Sequence, residues 1–337
     1  MSSLKRIAID AMGGEGGAAL TVPAALQALS QDPSLSLTLV GNQQEIQPML
    51  QAVPAMASRC SIVHAQSLVT DADEPRNVLR AGRDSSMYKA VELVQQGEVE
   101  AMVSAGNTGA LLMIGRHLLK TIPGIQKPAI VATIPGAARQ SYLLDVGANP
   151  ECTAQQLFEF AVMGSVLAES LSGNAARVGL LNIGSEQYKG TAAVRETAAR
   201  LERCQSMDYM GFVEANDLFE GDVDVVVCDG FVGNVTIKSS AGVANVVKRL
   251  LDEQLARIHA SGDMAISVEL VDSLTAQINP QRFNGASLLG LQGSIVKSHG
   301  NATAEGFCYA IRQAVKEIER EVPTLIATKV AAIMAAA

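Results

Sequence analysis

The sequence predicts an α/β protein built on a doubly wound, mostly parallel sheet, and three observations lead there. Short β-rich runs alternate with longer helical patterns along most of the chain. Several of these runs are nearly all apolar, as strands covered on both faces must be. Many end in small polar residues that lead straight into a helical pattern. That order is expected of right-handed βαβ units.

Taken along the chain, strands are expected at 6–11, 35–40, 61–64, 101–104, 129–134, 142–146, 178–183, 211–214 and 223–228. Amphipathic stretches at 75–96, 153–171 and 191–203 supply helices between them. The last third differs. Residues 233–260 read as one or two helices, 265–277 as another amphipathic one, and helix dominates from 303 onward. No linker of low complexity and no repeat of fixed period interrupts the pattern. Residues 1–337 are therefore expected to form a single α/β domain, as two lobes sharing one continuous structure with a cleft between.

Composition narrows the class. The chain has 337 residues, 48% apolar and 18% charged, which suits a folded chain with a sizeable core. Aromatics make up 4% and Trp is absent, so that core is aliphatic and stacking platforms for single-stranded nucleic acid are few. The net charge of -8, with no basic tract, argues against a nucleic-acid partner. The opening apolar run breaks at Asp10, too early for a signal peptide, and no stretch reaches the length of a spanning helix. A cytoplasmic protein is expected. The five cysteines, Cys60, Cys152, Cys204, Cys228 and Cys308, are widely spaced and form no C-x-x-C, which fits reduced thiols better than disulfides or zinc.

The strand ends carry the chemistry. Asp10 runs into Met12-Gly13-Gly14, and Val103 into Ser104-Ala105-Gly106-Asn107-Thr108. Leu144 runs into Asp145 to Asn149, and Leu181 into Asn182 to Glu186. Val227 runs into Cys228-Asp229-Gly230-Phe231-Val232-Gly233-Asn234, and Val296 into Lys297-Ser298-His299-Gly300. Gly permits positive φ and close approach of a ligand to the backbone. Asn, Ser and Thr cap the next helix, whose free N–H groups attract an anion. Capping alone explains one such loop; six together point to an anion or a carbonyl held in one crevice, where the carboxyl ends of parallel strands meet.

Competing motifs are weaker. Gly14-Glu15-Gly16-Gly17-Ala18-Ala19 fits a dinucleotide fingerprint formally, but the second strand ends Val40-Gly41-Asn42 without the acidic residue a ribose needs. No phosphate-binding loop of the G-x-x-x-x-G-K-[ST] type occurs, so no nucleotide cofactor is expected, and no metal. Cys228 follows three valines and reads as a buried core thiol, not a nucleophile. Met12 and Met87 read as packing. Lys189 follows the Asn182 loop, where a cation can be a plain surface lysine or can hold a phosphate or a developing oxyanion. Arg76, Arg80, Arg83 and Lys89 form either a solvated helix face or an anion-binding wall.

The segments IAIDAMGG, EPRNVLRAGRDSSMYKAVELV, VSAGNTGALL, LLDVGANPECTAQQLFEFAVMGS, VGLLNIGSEQYKG, DVVVCDGFVGNVTIK and LLGLQGSIVKSHG, in that order, resemble the PlsX-type phosphate acyltransferases of bacterial phospholipid synthesis. The likeness runs from about residue 6 to about residue 315. Two stretches depart from the family pattern: Gly14-Glu15-Gly16-Gly17 in the first loop, and Arg282-Phe283-Asn284-Gly285-Ala286. The resemblance implies a fold like that of phosphotransacetylases and isocitrate or isopropylmalate dehydrogenases, with extra C-terminal helices. It implies a homodimer that turns acyl-acyl-carrier-protein and inorganic phosphate into acyl phosphate and free carrier protein. It also implies loose association with the inner membrane face, where a glycerol-3-phosphate acyltransferase consumes the product. Lys189 and Asn234 occupy the positions important for activity in the family. Phosphate and carbonyl contacts are then expected from Lys189 and Asn234, aided by backbone N–H groups at Gly106 to Thr108 and at Gly233. Ser104, Asn107, Asn149, Asp229 and His299 complete the candidate set. An acidic carrier protein needs a basic patch, for which Lys248, Arg249 and Arg257 are a candidate. The apolar positions Leu250, Leu251, Leu255 and Ile258 beside them, and the stretch 266–274, offer a dimer seam or membrane face; core packing is their expected use.

Overall fold

The computed structural model describes residues 4–137, 139–261 and 280–336. Its strands are β1 (Lys5–Asp10), β2 (Leu35–Gly41), β3 (Cys60–His64), β4 (Ala101–Ser104), β5 (Ala129–Ile134) and β6 (Ser141–Leu144). They continue with β7 (Arg177–Leu181), β8 (Asp208–Val213), β9 (Val225–Val227), β10 (Ala286–Leu289) and β11 (Ser294–Lys297). The helices are α1 (Gly17–Gln31), α2 (Gln43–Gln51), α3 (Pro54–Ala57), α4 (Pro75–Ala81), α5 (Ser86–Gln95) and α6 (Thr108–Leu118). They are followed by α7 (Ala154–Ser172), α8 (Ala192–Leu201), α9 (Gly230–Ser261), α10 (Ala304–Glu319) and α11 (Val322–Ala336).

The strands form one sheet in the order β3-β2-β1-β4-β11-β10-β5-β6-β9-β7-β8. Alternate residues along a strand face opposite layers. Ile7 and Ile9 of β1 pack with Val22, Leu29, Phe307 and Ile311 of α1 and α10. Ala8 between them faces Met87, Val91, Leu111 and Ile114 of α5 and α6. In the other half, Leu144, Val178 and Val225 pack under Phe160, Met163 and Leu167 of α7, together with α8 and α11. All the expected strands are present, within a few residues. The C-terminal helices are present as well.

The sheet differs from the expectation in its middle. Residues 286–289 and 294–297 are short antiparallel strands inserted between β4 and β5. β5 then pairs antiparallel with β6. Followed across these pairings, β1 to β4 and β11 run one way, and β6 to β9 run the other. The six glycine-rich loops therefore do not leave one edge of the sheet. They form two groups of three.

Three smaller corrections have local causes. The expected helix 75–96 is two helices, because Gly82 closes α4 and the Ser85 hydroxyl, accepting from the Tyr88 N–H, caps α5. α9 begins at Gly230, three residues before the expected start at 233, which shortens the loop after β9. Leu250 on α9 is 54% exposed instead of packed in the core. The side chains of Leu255, Arg257 and Ile258, and the expected helix 265–277 with its stretch 266–274, lie outside the described residues.

Candidate active site

The first group of loops follows β1, β4 and β11. Asp10, the last residue of β1, is buried. Its Oδ2 accepts from the Ser104 hydroxyl at 2.6 Å, while Oδ1 has no hydrogen-bond partner. The Ser86 hydroxyl and the Met12 amide are near enough to favour its charged form, but burial outweighs them and raises its pKa. Ser104 also accepts from the Gly106 N–H, at 3.0 Å. That N–H is therefore spent within the protein, and cannot serve the substrate as expected.

Lys297 ends β11 and is half-buried. Its ammonium donates to the Ala105 carbonyl at 3.2 Å and to the Ser298 carbonyl. Burial lowers its pKa to about 8, against the pull of Asp71 and Asp10. His299, beside it, opens toward solvent. Partial burial lowers the imidazole pKa, and the cations Lys297 and Lys238 lower it further. The backbone of His299 is fixed by Asn284, whose Oδ1 accepts from the His299 N–H at 3.0 Å and whose Nδ2 donates to Ser298 Oγ at 2.8 Å.

The second group follows β6, β7 and β9. Asp145 is buried and accepts four hydrogen bonds, from the N–H groups of Ile130, Ala148 and Asn149 and from Asn149 Nδ2. Asn149 also donates to the Pro128 carbonyl at 2.8 Å and accepts from the Gly230 N–H at 2.7 Å. Its side chain thus joins Pro128 to Asp145, and its backbone carbonyl holds the start of α9. Asp229 caps α9 through Oδ1, which accepts from the Val232 N–H at 2.9 Å. The Gly233 N–H donates to the Asp229 carbonyl, so it too is internal. A Cβ on Gly233 would stand 1.8 Å from the Asp145 carbonyl oxygen, which is why the position takes glycine. Asn234, one residue on, is half-buried, and its side chain faces Gly147, where a Cβ would lie 3.7 Å away.

α9 links the two groups. Asn234 faces the loop after β6, and Lys238, one turn further, acts on His299 after β11. Val146 and Ala148 also pack against the α5 and α6 layer of the first half. The structure thus brings Asn234, Asn149, Asp229 and Gly233 together, and separately Ser104, Gly106 and His299, with α9 between. Asn107 is a structural cap. Its Oδ1 accepts from the Ala110 N–H, and its Nδ2 donates to the carbonyls of Thr70 and Asp73, both at 3.2 Å. Thr108 is the first residue of α6.

Lys189 lies in the loop after β7. Its ammonium pairs with Glu186 at 2.6 Å and folds over Gly184, where a Cβ would be 2.4 Å from Nζ. Glu186 is held below the usual carboxylate range by that bond. The side chain is 32% exposed, and a ligand anion can compete for it. Cys228 is buried and its thiol is pushed well up by burial and by Asp145 and Asp229, which makes it a poor nucleophile.

Sequence reasoning missed Asp10, Lys238, Asn284 and Lys297 as members of the site. Two of them left a signal: Asp10 breaks an apolar strand, and Lys297 ends one just before Ser-His-Gly. Asn284 lies in one of the stretches that depart from the family pattern. Among the described residues, no group of three His, Cys, Asp or Glu side chains is placed to hold a metal ion, and no helix is long and apolar enough to cross a membrane.

The comparisons with known proteins agree with one another. A family profile described as fatty acid synthesis protein matches residues 5–325. A phosphate acyltransferase of Shewanella woodyi is 45% identical over 332 residues, covering 97% of each chain. One from Alkalilimnicola ehrlichii is 46% identical, covering 100% of this chain and 99% of its own. Among solved structures, a phosphotransacetylase from Streptococcus pyogenes superposes with a TM-score of 0.61 at 17% identity, covering 94% of each chain. A phosphotransacetylase from Staphylococcus aureus gives 0.57 at 16%, covering 96% of this chain and 94% of that one. These structural likenesses establish the fold.

Proposed function

Because the chain belongs to the fatty acid synthesis protein family, whose curated relatives are phosphate acyltransferases, we propose that it moves a fatty acyl group from acyl carrier protein to inorganic phosphate. It is an acyltransferase; the carrier-protein donor and the supply of acyl phosphate to phosphatidic acid synthesis are the added steps. A phosphate oxygen attacks the thioester carbonyl carbon, a tetrahedral oxyanion forms, and the carrier thiolate leaves and takes a proton from solvent. No enzyme nucleophile is needed, because a thioester is already activated. The protein has to orient two substrates, worth up to roughly 7 to 11 kcal/mol, and to stabilise the oxyanion, about 3 kcal/mol per donor.

The observation that carries this proposal is α9. It presents an amide, Asn234, and a cation, Lys238, one turn apart to the two loop groups. In this account Asn234 and Lys189 serve the carbonyl and phosphate oxygens. His299 and the loops of Ser104, Gly106, Asn107, Thr108, Asn149, Asp229 and Gly233 shape the crevice. The exposed Val243, Val246, Val247 and Leu250 on α9 support a homodimer in which a second copy covers them, or a loose hold on the inner membrane face beside a glycerol-3-phosphate acyltransferase. The enzyme is then cytoplasmic.

The test is incubation with palmitoyl-carrier protein and phosphate, followed by mass detection of acyl phosphate. Palmitoyl phosphate should form only when phosphate is present. Product from acetyl-coenzyme A but not from the carrier-protein thioester would make it a short-chain phosphotransacetylase. Binding of carrier protein without product would make it a scaffold. Lys189→Ala should cost about 100-fold or more in kcat/KM; unchanged turnover and phosphate affinity would remove Lys189 from the mechanism.

A further inference from the structure

We propose that the residues where β1, β4 and β11 end select inorganic phosphate by its proton: Lys297 holds an anionic oxygen, and Asp10 accepts a hydrogen bond from the P–OH. This rests on phosphate being the acyl acceptor.

Lys297 and Asp10 both have unmet bonding capacity. An ammonium has three N–H donors. Two on Lys297 are directed at the carbonyls of Ala105 and Ser298, which leaves one. The Asp10 carboxylate uses Oδ2 for Ser104 and leaves Oδ1 buried and unpaired. A buried acceptor without a donor is costly, and native structures rarely keep one without a reason. Among the described residues no ion pair joins Lys297 to Asp10, yet each charge acts on the other. Asp71, His299 and Lys238 complete the charges that face this space.

The backbone here is kept bare. A Cβ on Gly13 would be 2.6 Å from Asp10 Oδ2 and 2.9 Å from the Gly106 nitrogen. A Cβ on Gly106 would be 3.5 Å from the same carboxylate oxygen. Glycine at both positions lets the two loops close directly against the Asp10 carboxylate.

The ligand that completes both groups needs an acceptor for Lys297 and a donor for Asp10. Near neutral pH, hydrogen phosphate carries both. Sulfate is fully deprotonated and offers acceptors only, so its oxygens would meet the Asp10 carboxylate with like charge. Asp10 therefore acts as the selective element and Lys297 as the holding one.

The first test uses the unmodified protein. Phosphate and arsenate, which both keep a proton, should raise the melting temperature, and equimolar sulfate should not. Equal stabilisation by sulfate would overturn the proposal. Next, Lys297→Met should raise KM for phosphate by about 30-fold or more while KM for the acyl donor moves far less. Lys297→Arg should recover part of the loss. An unchanged phosphate KM would overturn the assignment of Lys297. Asp10→Asn should turn sulfate into a competitor of phosphate; continued exclusion of sulfate would overturn the assignment of Asp10. If Lys297→Met does not fold, the melts and Asp10→Asn still decide. A wild-type protein that forms acyl phosphate yet binds sulfate as well as phosphate removes this proposal alone. One that is stabilised by phosphate alone yet makes no acyl phosphate removes the acyl-transfer function instead.

Discussion

Asp10 and Asp145 are near-twins in position and opposites in environment. Each stands at the end of a parallel strand, one in either half of the sheet. Each is buried, and burial pushes each pKa up. Asp145 receives four donors, three of them backbone N–H groups. Asp10 receives one short bond, from the Ser104 hydroxyl, with the Ser86 hydroxyl and the Met12 amide nearby, and its Oδ1 has no hydrogen-bond partner. The same residue type at the same kind of place is fully bonded in one half and only partly bonded in the other. What separates them is the count of hydrogen bonds, not burial or charge.

The strongest way to break this comparison is Asp145→Ala. It orphans the N–H groups of Ile130, Ala148 and Asn149 and one side-chain amide, and should cost at least about 3 kcal/mol in urea unfolding. Asp10→Ala orphans one hydroxyl and should cost less than about 1.5 kcal/mol by the same measurement. Equal losses would end the distinction.

A third buried carboxylate sharpens it. Glu317 on α10 meets the Ser287 hydroxyl, with Ser294 and Gln313 close by, and burial pushes its pKa up to about 7. The folded protein then holds a proton that the unfolded chain releases from about pH 4.5 upward. The stability from this proton is complete below that pH and is lost as pH rises through 7. Its full size is on the order of 3 kcal/mol. Glu317→Gln should flatten the decline in urea midpoint between pH 5 and pH 8; an unchanged slope would show that Glu317 does not titrate there.

Gly233→Ala should cost about 2 kcal/mol, because the added methyl meets the Asp145 carbonyl and α9 must shift. The smallest effect on stability belongs to Lys189→Ala. Its pair with Glu186 is an exposed i,i+3 bridge, so the change should stay within about 0.5 kcal/mol while activity falls. A large loss in stability would make Lys189 a structural residue.

The sequence made local features legible and left non-local ones hidden. The apolar runs around Leu37 and Val103 could only be buried strands, and the caps at Thr153 and Thr191 marked helix starts. Strand direction was not legible. The reversal at β10, β5 and β6 depends on pairings such as Ser287 with Val131, far apart in the chain, and on strands of four residues that carry little pattern. The site was legible as a set of loops but not as a set of roles. Asn107 and Asp229 have the residue types of ligands and serve as caps. Lys297 looks like an ordinary strand-end lysine until β4 and β1 close around it.

The central hairpin has a consequence for how the chain is made. β10 and β11 supply the only strands that join β4 to β5 among the described residues, and they come from residues 286–297. When the ribosome reaches residue 286, the strands of a four-stranded half and a five-stranded half have all been made, each half with an open inner edge. Pairings such as Ser294 with Ala101 must wait for nearly the whole chain, so closure of the seam is a late, slow event. A stop codon ahead of residue 286 would leave two sticky half-sheets, whereas one after α10 would leave the sheet whole and strip Val322, Ile326 and Val330 from the core of its second half.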